Sequence, residues 1–265
     1  MATVARHTLE SLLRRDRHVA IGSLLLVTGL AWASVLGGAA IPALEHGMAM
    51  TDAHGHTMPM PMAWTLSYAI LMALMWWIMM IAMMVPGAAP MILLFAAISR
   101  KEARSDPLVP TGIFLAAYLV VWGAFSLIAT GLQWALDTAG LLSAMAVTNA
   151  MLGGSILVAA GVYQLTPMKQ VCLKRCRGPV LFLTERWQPG TAGAFGMGLA
   201  HGLYCLGCCW FLMSLLFFGG IVNVLWIAGL AIYVLFEKTV PAGHWLARAV
   251  GALLVVTGTL VLVAA

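Results

Sequence analysis

The feature that most constrains this chain is the recurrence of apolar runs about as long as a bilayer is thick. They lie near residues 19–41, 64–98, 109–135, 143–165, 193–219, 221–236 and 245–264, and the only charged residue inside them is Arg248. About 20 apolar residues in an α-helix cross the hydrocarbon layer, where every backbone N–H and C=O needs an internal partner. The expected fold is therefore all-α: a polytopic membrane helix bundle of about seven transmembrane helices, a single domain over 1–265. Composition agrees, since 62% of the 265 residues are hydrophobic and 9% are charged, against roughly 25% charged in soluble domains. Mean hydropathy is +0.97. The formal charge of +5 calls for no nucleic-acid partner, because the basic residues sit beside the apolar runs.

Their distribution sets an orientation. Arg6, Arg14, Arg15 and Arg17 precede the first run, and Arg100, Lys101 and Arg104 follow the second. Lys169, Lys174, Arg175, Arg177 and Arg186 lie between the fourth and fifth, and Lys238 follows the sixth. The intervening 42–63, 136–142 and 219–220 segments contain no Lys or Arg. By the positive-inside rule the N-terminus and the basic 166–190 loop are cytoplasmic, and the 42–63 loop and the C-terminus are outside. The first run is longer than the 7–15 apolar residues of a signal peptide and reads as a retained span. Pro86 and Pro90 are expected to kink or split the second run. The fifth and sixth runs, joined around Gly219-Gly220, should be antiparallel neighbours. Gly198 and Gly202 form a small-xxx-small pair, which lets helix backbones approach closely in lipid.

Within the fifth run "HGLYCLGCCW" places His201, Cys205, Cys208 and Cys209 in one short stretch. On a helical wheel Met197, His201, Cys205 and Cys208 form one stripe, with Cys209 about 80° round from His201. Thiolate, thioether and imidazole suit Cu(I), and cysteine with histidine also suits zinc. Two other readings remain: a redox-active C-x-x-C at Cys205 and Cys208, and small residues that merely pack.

The loop "EHGMAMTDAHGHTMPMPM" holds His46, His54 and His56 among Met48, Met50, Met58, Met60 and Met62. An exposed loop gains nothing by burying methionine. Thioethers bind Cu(I) in oxidising surroundings where thiols would be lost, so the loop reads as a copper-capture segment. The alternative is a low-complexity loop. Directly after it, Met72, Met75, Met79 and Met83 fall on one helical face, with Met80 and Met84 beside them. Such a stripe is commonly core, yet here it could also carry copper inward. Trp76 and Trp77 read as packing residues.

In "YQLTPMKQVCLKRCRGP" Cys172 and Cys176 are four apart, on one face if the segment is helical, amid Lys169, Lys174, Arg175 and Arg177. A second soft-metal site and an ordinary basic membrane-surface loop both fit. Glu237 of "FEKTVPAG" is expected to pair with a basic residue of the 166–190 segment, and Arg248 needs a partner. No G-x4-GK[ST], G-x-S-x-G or H-E-x-x-H occurs, so ATP-driven pumping and common hydrolase chemistry lack support.

Four stretches together, "MMIAMMVPGAAPM", "YQLTPMKQVCLKRCRGP", "GLYCLGCCWFLMSLLFFGGIVNVLW" and "FEKTVPAG", resemble a bacterial family of predicted metal-binding integral membrane proteins. One branch is described as a copper chaperone for a tyrosinase-type polyphenol oxidase. The matching positions include Cys172, Cys176, Cys205, Cys208, Cys209 and Glu237. The resemblance implies metal handling, with copper from the one branch. Copper at the 45–62 loop rests on side-chain chemistry alone. The resulting expectation is a multi-pass protein of the bacterial inner membrane, embedded in the lipid bilayer. It would bind Cu(I) without enzymatic turnover and serve a secreted or membrane cuproenzyme. A membrane thiol oxidoreductase and a structural subunit of a membrane complex are the competing readings.

Overall fold

The computed structural model of the chain describes residues 2–39, 49–51, 57–59, 64–102, 108–143, 145–240 and 243–265. It is all-α apart from two short antiparallel ladders. The helices are α1 (Ala2–Ala39), α2 (Leu66–Glu102), α3 (Leu108–Thr138), α4 (Ala150–Leu165) and α5 (Pro167–Arg177). They continue with α6 (Pro179–Arg186), α7 (Gly190–Gly219), α8 (Val224–Thr239) and α9 (Gly243–Ala264). The ladders pair β1 (Ala49–Thr51) with β2 (Thr57–Pro59), and β3 (Leu142–Ser143) with β4 (Ala146–Val147).

Five helices are long and apolar enough to cross a membrane, or up to six if the bent pair α4 and α5 counts as one span. The difference from seven has a geometric reason. Both α4 and α8 have 16 residues, and 16 residues at 1.5 Å each reach only about 24 Å, short of the ~30 Å hydrocarbon layer.

Pro86 and Pro90 do not split the second apolar run, because both lie inside the single helix α2. Proline at 86 removes the N–H that would bond the Ala82 carbonyl. The Trp32 indole of α1 donates to that carbonyl instead, at 3.1 Å. A tertiary donor thus satisfies the group that the proline orphans, as a helix in lipid requires.

The Gly198–Gly202 pair sets the α3–α7 contact. A Cβ at Gly198 would overlap the Phe114 carbonyl oxygen of α3, and one at Gly202 would lie 2.8 Å from Val121 Cγ2. At the C-terminal end of α7, Gly220 adopts φ +97°, and Asn223 caps α8 by accepting from Trp226 N at 3.2 Å. This tight turn makes α7 and α8 successive neighbours. The core lies where α2, α3, α7 and α8 meet. Trp76 is buried there and donates to Gln133 Oε1 at 2.8 Å, while Trp77 donates to the Leu119 carbonyl at 3.0 Å.

Candidate metal centre

The 163–179 stretch folds as a helix with clear local causes. Thr166 caps α5 by accepting from Lys169 N at 3.3 Å, and Pro167 occupies the first turn, where it costs no backbone bond. The chain bends by 65° between α4 and α5. The bend turns one face of α5 inward, burying Lys169, Leu173 and Cys176 and half-burying Cys172. Lys169 meets Glu237 of α8 in a buried ion pair of 2.7 Å, the partner expected for Glu237. Tyr233, one turn before it, accepts from Gln164 Nε2 at 2.7 Å. These contacts clamp α5 between α4 and α8.

On α7 the stripe is buried as the wheel predicts: Met197, His201, Cys205 and Cys208 are all at most 2% exposed. The helix is unbroken through Gly207. Cys209, which the wheel sets further round, is buried as well. Its thiol donates to the Cys205 carbonyl at 2.8 Å and lies 3.8 Å from the Met84 sulfur. Cys208 donates to the same carbonyl at 3.1 Å.

The two cysteine motifs converge. The Cys176 side chain interacts with those of Cys205 and Cys208. Cys172 packs on Gly207, where a Cβ would stand 2.8 Å from its sulfur. All five cysteines are free. They form one sulfur cluster between α5 and α7, extended by the Met84 thioether of α2.

Two residues of the cluster went unread in the sequence. Lys238 reaches in from the end of α8, its Nζ 3.0 Å from Cys205 Sγ and 3.7 Å from Met84 Sδ. Its stem lies over Gly87, where a Cβ would come 3.0 Å from Lys238 Cδ. Tyr118 of α3 shares a hydrogen bond with Cys205 Sγ at 3.1 Å and stands 3.2 Å from the Met84 carbonyl. Tyrosine in an apolar run carries no readable signal. Lys238 left one: Glu237 and Lys238 are adjacent and cannot share a helical face, so two buried ions there need two separate partners.

His201 sits apart from the sulfurs' hydrogen bonds. Its ring packs on Phe114, Tyr118 and Phe182, with the Tyr118 centroid at 5.6 Å. Neither ring nitrogen has a hydrogen-bond partner among the described residues, an arrangement that leaves a buried polar group uncompensated. Met197, eight residues before Cys205, is about 12 Å away along the helix and lies beside Trp187 at another cavity. Among the described residues no three His, Cys, Asp or Glu side chains stand in a geometry that could hold a metal ion. The Cys208 and Cys209 thiols turn to a carbonyl, and Lys238 and Tyr118 occupy the Cys205 sulfur. The donor types nevertheless suit a soft ion such as Cu(I). His46, Met48, His54, His56, Met60 and Met62 lie outside the described residues. Met50 and Met58 are opposed positions of the β1–β2 ladder.

A family model described as PpoB2, copper chaperone, matches residues 72–261. That segment contains all five cysteines, Met84, His201 and Lys238. No curated protein and no solved structure matches the chain.

Proposed function

The chain belongs to the PpoB2 copper-chaperone family, and from that premise we propose that it is an inner-membrane protein that binds Cu(I) and passes it to a copper enzyme without catalytic turnover. The observation that carries this reading is the convergence of Cys172 and Cys176 of α5 with Cys205, Cys208 and Cys209 of α7 in one sulfur cluster. Rotation of these side chains brings Cys205, Cys208 and Cys176 onto the ion, with Cys209, Cys172 and Met84 as further sulfur donors. His201 offers an imidazole with no competing hydrogen bond among the described residues. Lys238 offsets the negative charge of thiolates in a site that excludes water.

The 45–62 loop supplies the ion from outside, through His46, His54 and His56 with Met48, Met50, Met58, Met60 and Met62. Inward of it, Met72, Met79, Met80, Met83 and Met84 are buried along α2. From Met72 to Met84 the helix rises about 18 Å, and Met84 touches Cys209. Thioethers hold Cu(I) more weakly than thiolates, so the order favours movement toward the cysteines. Met197 serves at most as an outlying donor.

Copper bound per chain, measured on detergent-purified protein loaded with Cu(I), tests the reading. Cys205→Ser, Cys208→Ser and Cys176→Ser are each expected to lower it severely. A redox reading draws on the Lys238 ammonium beside Cys205, an arrangement that also activates a thiol for disulfide chemistry. Full copper occupancy in these variants, with quinone reduction by the reduced protein dependent on Cys205 and Cys208, would favour that reading and reject copper binding at the cluster.

A further inference from the structure

Helix α5 has two chemically distinct faces. Its thiol face meets α7. Gln170, Lys174 and Arg177 lie on the other side, at a cavity of about 610 Å³ shared with His244 and Arg248 of α9. Among the described residues, no acidic residue lines it.

Other basic groups in this region are committed elsewhere. Lys169 pairs with Glu237, Arg175 with Glu185, and Arg186 donates to the Tyr204 hydroxyl at 3.1 Å. Arg177 donates to the Val240 carbonyl, a neutral group. The Arg248 guanidinium lies 5.3 Å from the Trp245 ring centroid. Among the described residues Lys174 and Arg248 have no carboxylate partner, and the Gln170 amide nitrogen has no hydrogen-bond partner. Charges that served only to orient the chain could point into open water. Lys174 and Arg177 of α5 and Arg248 of α9 come from two helices far apart in sequence and converge on one cavity.

We propose that this cavity binds the phosphate headgroup of an anionic phospholipid. Guanidinium and ammonium groups converging without a counter-charge are the chemistry that takes phosphate. The depth fits a lipid, because His244 and Arg248 lie in the first turns of α9, itself long and apolar enough to span a membrane. Trp245 and Leu246 are exposed beside them, an aromatic and an aliphatic group placed for the headgroup level and the chains below. A soluble copper carrier fits less well, since it would dock on the face of α5 turned away from Cys172 and Cys176. The lipid would brace α5 against α9, and the inference does not depend on what metal the protein handles.

The test is native mass spectrometry of the full-length protein in neutral detergent, titrated with phosphatidylglycerol or phosphatidylcholine. Phosphatidylglycerol is expected to be retained selectively. Arg177→Gln and Arg248→Gln should each lower its retention by about fivefold, the usual worth of one basic residue at an anionic lipid surface. Arg175→Gln removes the same charge from the same helix but leaves the cavity intact, so it should change little. If Arg177→Gln fails to fold, Lys174→Gln and Arg248→Gln carry the same expectation from exposed positions. Equal losses in Arg175→Gln would mean diffuse attraction and overturn the proposal, as would unchanged retention in the cavity variants. Displacement of the lipid by millimolar inorganic phosphate would make this a free-anion site. Displacement by a polyglutamate peptide would make it a docking site for acidic protein. Either result rejects the lipid.

Discussion

Replacing Lys238 by leucine separates a role in metal binding from a role in folding. The Lys238 ammonium lies 3.0 Å from Cys205 Sγ and the residue is 6% exposed. A hydrogen bond involving a charged group contributes about 1.5–3 kcal/mol, which converts to about a 10- to 150-fold loss of Cu(I) affinity if the contact supports a copper thiolate. Folding should respond differently. Burying an ammonium is costly, and an apolar replacement of a buried ion is often neutral or stabilising. Leucine fills the stem's place over Gly87 without adding a sulfur donor, and leaves a small void beyond Cδ. The expected result is weaker copper binding with an unchanged or higher melting temperature. Affinity is read by competition with a soluble Cu(I) chelator under reducing conditions, and melting on the same detergent sample. Lys238→Arg keeps the charge and should lose less. Wild-type affinity in Lys238→Leu would refute the reasoning, as would an affinity loss matched by an equal fall in stability.

Met84→Leu keeps the volume and removes the thioether beside Cys209 and Lys238; stability should change by less than about 1.5 kcal/mol, while the chelator competition shows weakened Cu(I) binding. Glu237→Gln breaks one partner of the buried pair with Lys169 and should cost about 3–5 kcal/mol in unfolding, with Lys169→Met/Glu237→Leu recovering most of it. Gly198→Ala should cost about 1–3 kcal/mol in the same assay, because the new Cβ meets the Phe114 backbone, which cannot rotate aside. Reporter fusions at 55 and 180 should read outside and inside; an inside signal at 55 would remove the case for copper capture by the 45–62 loop.

Long-range contacts decided what could be read from sequence. Helix positions followed from the apolar runs, because a run near 20 residues has few alternatives in lipid. The fate of α2 at Pro86 was not readable, since its continuity uses the Trp32 indole, 50 residues away. The stripe of Met197, His201, Cys205 and Cys208 followed from the helical period, and its burial agrees. Whether Cys172 and Cys176 join it depended on the 65° bend at Thr166 and on the Lys169–Glu237 clamp. Periodicity contains neither. Cys209 lies about 80° round from His201 on the wheel, and its contact with Met84 of α2 was not readable, because a wheel ignores the partner helix. Lys238 read as a topogenic charge, and only the close approach at Gly87 lets its stem turn inward.

The central claim is that α5 and α7 together present sulfur to Cu(I). Copper-edge X-ray absorption of the Cu(I)-loaded protein tests it most directly. The account predicts a sulfur-dominated coordination shell that loses sulfur in Cys176→Ser as well as in Cys205→Ser, because the donors come from both helices. A shell of nitrogen and oxygen alone, or one unchanged by both substitutions, would contradict it.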